Sequence, residues 1–179
     1  MKHLLLSLAL SLTGCAAAFA QLPIDAKINV GSLLTGGVNV AAEFNVSDNI
    51  GIAAGFAYSG LGISFNNDDF RYRSTRFIPE FRYYVSPDYG ADRFYIGAYG
   101  KGGVVTARNR NSDLRETGAR AVIGLLVGYK WILNNNMLIE LNTGLGRGTI
   151  FSSDPIFDTS ATFLTAVDLR LGLLAGYRF

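Results

Sequence analysis

The sequence predicts an all-β protein, an eight-stranded antiparallel transmembrane β-barrel. Three observations carry that prediction. Apolar and polar residues alternate strictly in segment after segment, the period of a strand and not of a helix. The connectors between those segments are mostly short and long by turns, as in membrane barrels with short periplasmic turns and longer outer loops. The polar side of the alternation is rich in glycine and in charges of both signs, which suits a narrow lumen better than a solvated surface.

Residues 1–20 stand apart from the barrel domain, residues 21–179. Lys2 gives a basic start, Leu4–Leu12 an apolar run, and Ala18 and Ala20 a small-residue exit before Gln21. This is the plan of a secretory signal peptide. The apolar run is well short of the ~20 residues a spanning helix needs. `LTGC`, Leu12–Cys15, also resembles a lipobox, so two fates for Cys15 stay open: lipidation, or removal with the signal peptide. Cleavage after Ala20 leaves no cysteine, hence no disulfide and no thiolate chemistry.

Strands follow in order. Ile24–Gly31 sets Ile24, Ala26, Ile28 and Val30 against Asp25, Lys27 and Asn29. Val38–Val46 and Ile50–Tyr58 repeat the pattern, joined by the tight `VSDN`. In Thr75–Val85, Phe77, Phe81, Tyr83 and Val85 face away from Arg76, Glu80, Arg82 and Tyr84. Phe94–Gly100 sets Phe94, Ile96 and Ala98 against Tyr95, Gly97 and Tyr99. Ala119–Leu133 runs from Ala121 to Trp131 on its apolar side, and `LNNN` leads into Met137–Leu145. The final strand spans about Phe163–Phe179. Gly60–Phe70, Ala107–Thr117 and Thr149–Ala161 are expected to be the long outer loops, and Leu33–Gly37 is a short exception to the rule. An even strand number puts both termini on the periplasmic side.

Alternation alone does not say which face is inside. A soluble, lipocalin-like lipid binder turns its apolar face inward, whereas a membrane barrel turns it to lipid. The polar face carries Glu43, Arg76, Glu80, Arg82, Lys101, Arg120, Lys130, Glu140, Asp168, Arg170 and Arg178. All but Arg178 are assigned to an ion-pair network filling the lumen, because a buried charge without a partner is costly. Aromatic residues lie near the ends of the apolar face: Tyr83, Phe94, Tyr129, Trp131, Tyr177 and Phe179 at the turn side, Tyr58, Tyr72 and Phe163 at the loop side. These are candidate interfacial girdles.

Phe179 and Tyr177, with Ala175 and Leu173 at alternate positions before them, resemble the C-terminal signal that bacterial outer-membrane barrels present to the barrel assembly machinery. The chain as a whole resembles small eight-stranded barrels of the OmpA type. `FIPEFRYYVSP…DRFYIGAYGKGG` (Phe77–Gly103) and `GLLVGYKWILNNNMLIELNTGLGRG` (Gly124–Gly148) resemble an uncharacterised family of Gram-negative outer-membrane barrels labelled as a domain of unknown function. That resemblance implies the barrel and its place in the outer membrane, and supplies no catalytic residues.

The chemistry expected is sparse. His3 is the only histidine and lies in the signal segment, so the mature chain offers neither Ser–His–Asp catalysis nor a histidine zinc site. No enzymatic activity, cofactor or metal is expected; `SDN`, `NNDD` and `SSDP` lack EF-hand spacing. `GLGRG` (Gly144–Gly148) precedes no helix and reads as lumen packing, not a phosphate loop. With 16 Lys+Arg against 14 Asp+Glu, nothing points to nucleic acid. Arg108, Arg110 and Arg115 fall on a long loop, where they are either solvated or in contact with lipopolysaccharide phosphates. The expected role of this monomer is structural or interaction-based. The alternative is a narrow channel gated by Glu80, Arg82 and Lys130.

Overall fold

Alternating faces become a closed wall. The computed structural model describes residues 22–34, 36–65, 68–109, 115–151 and 166–179; for 61–65, 68–72, 107–109, 115–116 and 150 it describes the backbone alone. Among the described residues there are eight strands: β1 (Ile24–Asn29), β2 (Gly37–Asn45), β3 (Ile50–Phe65), β4 (Asp68–Tyr84), β5 (Arg93–Asn109), β6 (Arg115–Ile132), β7 (Met137–Phe151) and β8 (Val167–Arg178). Each pairs antiparallel with its sequence neighbour, and β1 pairs with β8 to close the barrel. Closure gives the strands partners on both sides, which removes the exposed edges of an open sheet.

Two predicted boundaries shift, each for a local reason. The first strand stops at Asn29 rather than Gly31, because Asn29 caps a short helix, α1 (Val30–Leu34). The Ser32 amide donates to Asn29 Oδ1 at 3.3 Å and the Ser32 hydroxyl to the Asn29 carbonyl at 2.7 Å, a helix-start arrangement. Gly36, with φ of 73°, ends it. The expected long loops are the second case. β3 and β4 continue as a paired ladder to Phe65↔Asp68, β5 and β6 to Arg108↔Arg115, and β7 runs to Phe151. The β3 extension keeps the alternation, with Leu61, Ile63 and Phe65 against Gly60, Gly62 and Ser64, but Asp68, Asp69, Arg71 and Arg73 on β4 give its partner a loop-like polar composition. The start assigned to the last strand, Phe163, lies outside the described residues, as does the signal segment 1–20; β8 begins at Val167.

The apolar face points outward. Ile52, Phe56, Phe77, Ile96, Leu125 and Leu171 are among its exposed residues, with Ile123 74 % and Leu171 72 % exposed. Charged and tyrosine side chains point inward instead, where Arg82, Tyr84, Tyr95, Lys130, Glu43 and Glu140 are fully buried. This is the opposite of a soluble barrel with an apolar pocket. At the turn end, Tyr83, Phe94, Trp131, Tyr177 and Phe179 stand outward. Tyr129 lies tilted against Trp131 with ring centroids 4.5 Å apart, and Tyr177 meets Phe179 edge to face at 5.0 Å. Tyr58 is outward at the loop side; the Tyr72 side chain and Phe163 lie outside the described part.

Candidate functional site in the lumen

Strands place the lumen residues two apart, so each contributes a column of inward side chains. The turn-side half of the lumen is filled by one connected set of ion pairs. Arg82 on β4 is its hub. Its Nη1 donates to Glu43 and to Glu140, each at 2.9 Å, and its Nε and Nη2 donate to Glu80 at 3.0 and 2.6 Å. Lys27 reaches Glu43, and Glu140 at 2.8 Å. Lys130 donates to Asp25 at 2.7 Å and lies 3.1 Å from Glu43. Tyr84 and Tyr95 donate their hydroxyls to Glu43 and Glu140 at 2.5 and 2.6 Å. The rings of the same tyrosines lie against cations: Lys130 is 4.5 Å from the Tyr84 centroid and Arg82 is 4.7 Å from that of Tyr95.

Several of these contacts join strands that do not pair in the sheet. Arg82 on β4 meets Glu140 on β7 across the lumen, three strands away in the wall. Each carboxylate has several donors, the condition under which buried charge is tolerated. Glycine makes the room. A Cβ at Gly128 would lie 2.5 Å from the Tyr95 hydroxyl, and one at Gly124 would lie 2.6 Å from the Tyr99 ring. The `GLGRG` glycines serve the same purpose, since a Cβ at Gly146 would meet the Tyr99 hydroxyl at 2.7 Å.

A strap closes the turn end. The β4–β5 connector folds across it, with Ala91 and Asp92 buried. Asp92 accepts the amides of Asp88 at 2.7 Å and Tyr89 at 3.2 Å, and the Ala91 amide donates to the Asp48 carbonyl at 2.7 Å. Arg178 on β8 clamps it. One side of its guanidinium donates to Asp25 at 2.6 and 3.0 Å, the other to the carbonyls of Tyr89, Gly90 and Ala91 at 2.8, 2.6 and 3.1 Å. Left-handed φ values at Gly90, Ala91 and Arg93 turn the chain back into β5.

The loop-side half is different. Asp168 accepts from Lys101 at 2.6 Å and Tyr99 at 2.8 Å, with Arg120 at 3.6 Å. Arg170 donates to Glu80 at 2.6 Å, and Arg76 to the Ser59 hydroxyl at 3.0 Å. A cavity of about 530 Å³ opens among Arg76, Lys101, Arg170, Asn29, Asn39 and Asn142.

The ten charges assigned to the lumen from sequence therefore fall into two groups. Glu43, Glu80, Arg82, Lys130 and Glu140 meet in the turn-side half; Arg76, Lys101, Arg120, Asp168 and Arg170 lie in the loop-side half, and the Arg170–Glu80 pair links the groups. Lys130 is held by Asp25 and Glu43, and it shares Glu43 with Arg82, which in turn holds Glu80. Asp25, Lys27, Arg178 and the three lumen tyrosines belong to the network although they were not assigned to it. Their signal was present in the alternation, which puts all six on the polar face. Arg108 and Arg115 face each other at the end of the β5–β6 ladder, and Arg110 lies outside the described residues. Among the described residues no cluster of His, Cys, Asp and Glu is arranged to hold a metal.

No curated protein matches this chain. Among solved structures, the Yersinia pestis outer membrane protein Ail, determined in a phospholipid bilayer nanodisc, aligns over 89 % of this chain and 100 % of its own, with 16 % identity and a TM-score of 0.40. A family model matches residues 3–153, and the chain belongs to that family, described as Protein of unknown function (DUF3575).

Proposed function

We propose that this chain is a small outer-membrane β-barrel of a Gram-negative bacterium, with a structural or interaction role and a lumen closed to ions. The observation that carries the reading is the inversion of polarity: an apolar exterior around a charged, filled interior. Outward apolar residues cover Ala121–Trp131 on β6 and Val167–Tyr177 on β8; outward Arg147, paired with Ile123 and Val167, marks the loop-side rim, and outward Arg73, in register through Thr106 with Thr117, lies beyond it. About ten residues at ~3.3 Å each, tilted by about 40°, make a band about 25 Å tall. That is the height of the lipid-facing band of outer-membrane barrels. Open strand edges cost several kcal/mol per unpaired group in hydrocarbon. The β1–β8 ladder meets this demand from Asp25↔Arg178 to Asn29↔Leu174, and Phe179 extends it through paired bonds with Ile24. Tyr177 and Phe179 are the outward pair we assign to recognition by the barrel assembly machinery, and Arg108, Arg110 and Arg115 are assigned to lipopolysaccharide contact.

Fractionation and planar-bilayer recording test the reading together. The expected result is a heat-modifiable band in the outer-membrane fraction, diminished on deletion of Phe179, and an electrically silent bilayer with the purified protein. A soluble periplasmic product would contradict the location. Discrete conductance steps altered by Arg82→Gln would replace the closed lumen with a gated channel.

A further inference from the structure

We infer that the barrel wall opens sideways between α1 and β8, and that the opening admits a single-chain lipid with an uncharged, hydroxyl-bearing head. The two sides of β8 are paired to different extents. One side pairs with β7 from Arg147↔Val167 to Met137↔Tyr177. The other pairs with β1 only from Asp25↔Arg178 to Asn29↔Leu174. Beyond Asn29 the chain turns into α1, which packs between β8 and β2 where β1 would have continued.

This leaves a stretch of strand edge at hydrocarbon height. Each residue of an antiparallel strand directs its N–H and C=O to one neighbour, and successive residues alternate. The Arg178 amide donates to Asn136, on the β7 side, and Phe179 exchanges bonds with Ile24, on the β1 side. Leu169 and Leu171 share the direction of Phe179, so their main-chain groups turn toward α1. Neither has a ladder partner on that side among the described residues. Both belong to the outward apolar row of β8 and are exposed. Unpaired main-chain groups are costly in hydrocarbon.

The cavity of about 530 Å³ follows that edge. β2, β3, β4 and β5 contribute only inward residues to it, among them Asn39, Ala57, Ile78 and Lys101. β8 contributes Leu169–Leu173 without a break, so both faces of the strand and the edge between them border one space. Gly31 and Ser32 of α1 border it opposite. A space shared by lumen side chains and outward leucines communicates with the lipid.

Its lining selects the occupant. A lipid chain fits against Leu169, Leu171 and Leu173. The head meets the main-chain groups of the β8 edge and the amides of Asn29, Asn39 and Asn142, which include both donors and acceptors. A hydroxyl donates and accepts, so a glycerol-type head answers both. A charged head gains less, because Lys101 and Arg170 are already held by Asp168 and Glu80. The volume is that of a small-molecule site. Ion pairs fill the turn-side half, so the opening leads into the lumen and not through it.

The experiment is photolabelling of the folded protein in phosphatidylcholine vesicles with a monoacylglycerol that carries a diazirine beside its head group. Adducts are mapped by mass spectrometry. The expected result is saturable labelling of lumen-facing Asn39, Ala57 or Ile78, competed by unlabelled monoacylglycerol, together with general labelling of outward Phe77. Two closures of the opening should each cut the lumen adducts at least fivefold and leave those on Phe77 unchanged. One is the disulfide of the double variant Gly31→Cys, Leu173→Cys. A Cβ at Gly31 lies 4.0 Å from the Leu173 amide nitrogen, within disulfide reach, and reduction should restore the labelling. The other is Ser32→Trp on the α1 border, with heat-modifiability verifying its fold. The opening presupposes the membrane barrel, and Phe77 separates the two failures. A protein that stays out of the vesicles with no adduct on Phe77 overturns both. Phe77 adducts without lumen adducts, or lumen adducts that neither closure reduces, overturn the opening alone.

Discussion

At Gly128 a methyl group has nowhere to go. Its Cβ would meet the Tyr95 hydroxyl at 2.5 Å and the Leu141 carbonyl at 2.7 Å, and the second is backbone that cannot swing away. Gly128→Ala is therefore expected to destabilise the barrel by about 1–3 kcal/mol, the usual cost of overpacking, read as a lower urea midpoint in detergent. An unchanged midpoint would mean that Tyr95 is not held against Glu140 as described. Single residues such as Gly128, Arg82 and Glu140 were legible in sequence as inward-facing, because period two assigns a face without knowledge of the fold. Their partners were not. Arg82 and Glu140 are 58 positions apart and meet only through barrel closure and register, neither of which alternation encodes.

Elements were legible where one face had to be apolar. β2, β6 and β7 begin within a few residues of their expected positions, since each lipid-height strand needs a continuous outward row. The extensions of β3, β4 and β5 beyond that height were not, because the short alternation Leu61, Ile63, Phe65 runs straight into the polar `NNDD` and its partner strand is rich in aspartate and arginine. Helix α1 was also hidden: `NVGSLL` continues an alternation, and only the Asn29 cap diverts it. The strap between β4 and β5 read as an ordinary connector, yet Arg178 binds three of its carbonyls. Arg178→Gln removes most of that clamp. Amide hydrogens of Tyr89–Ala91 should then exchange at least tenfold faster while the β6 and β7 amides stay protected, as expected for local opening of one element. Uniformly faster exchange would instead make Arg178 part of the global stability of the barrel.

For the whole molecule, the decisive property is which side of the wall meets which medium. A charged, tyrosine-lined lumen half-sealed by ion pairs has no driving force to fold in water around an apolar shell of this extent, since a large exposed apolar surface marks an interaction with lipid or protein. The measurement that tests this most directly is spin-label accessibility in phospholipid vesicles. Labels are placed singly at Ile123→Cys, Leu125→Cys and Val127→Cys on the outward row of β6, with Arg73→Cys, in register with Thr106 and through it with Thr117, as the aqueous reference. The expected result is collision of the first three labels with oxygen and not with a water-borne nickel reagent, and the reverse at position 73. Nickel access at positions 123, 125 and 127, in a protein that stays out of the vesicles, would contradict the membrane-spanning barrel and the function built on it.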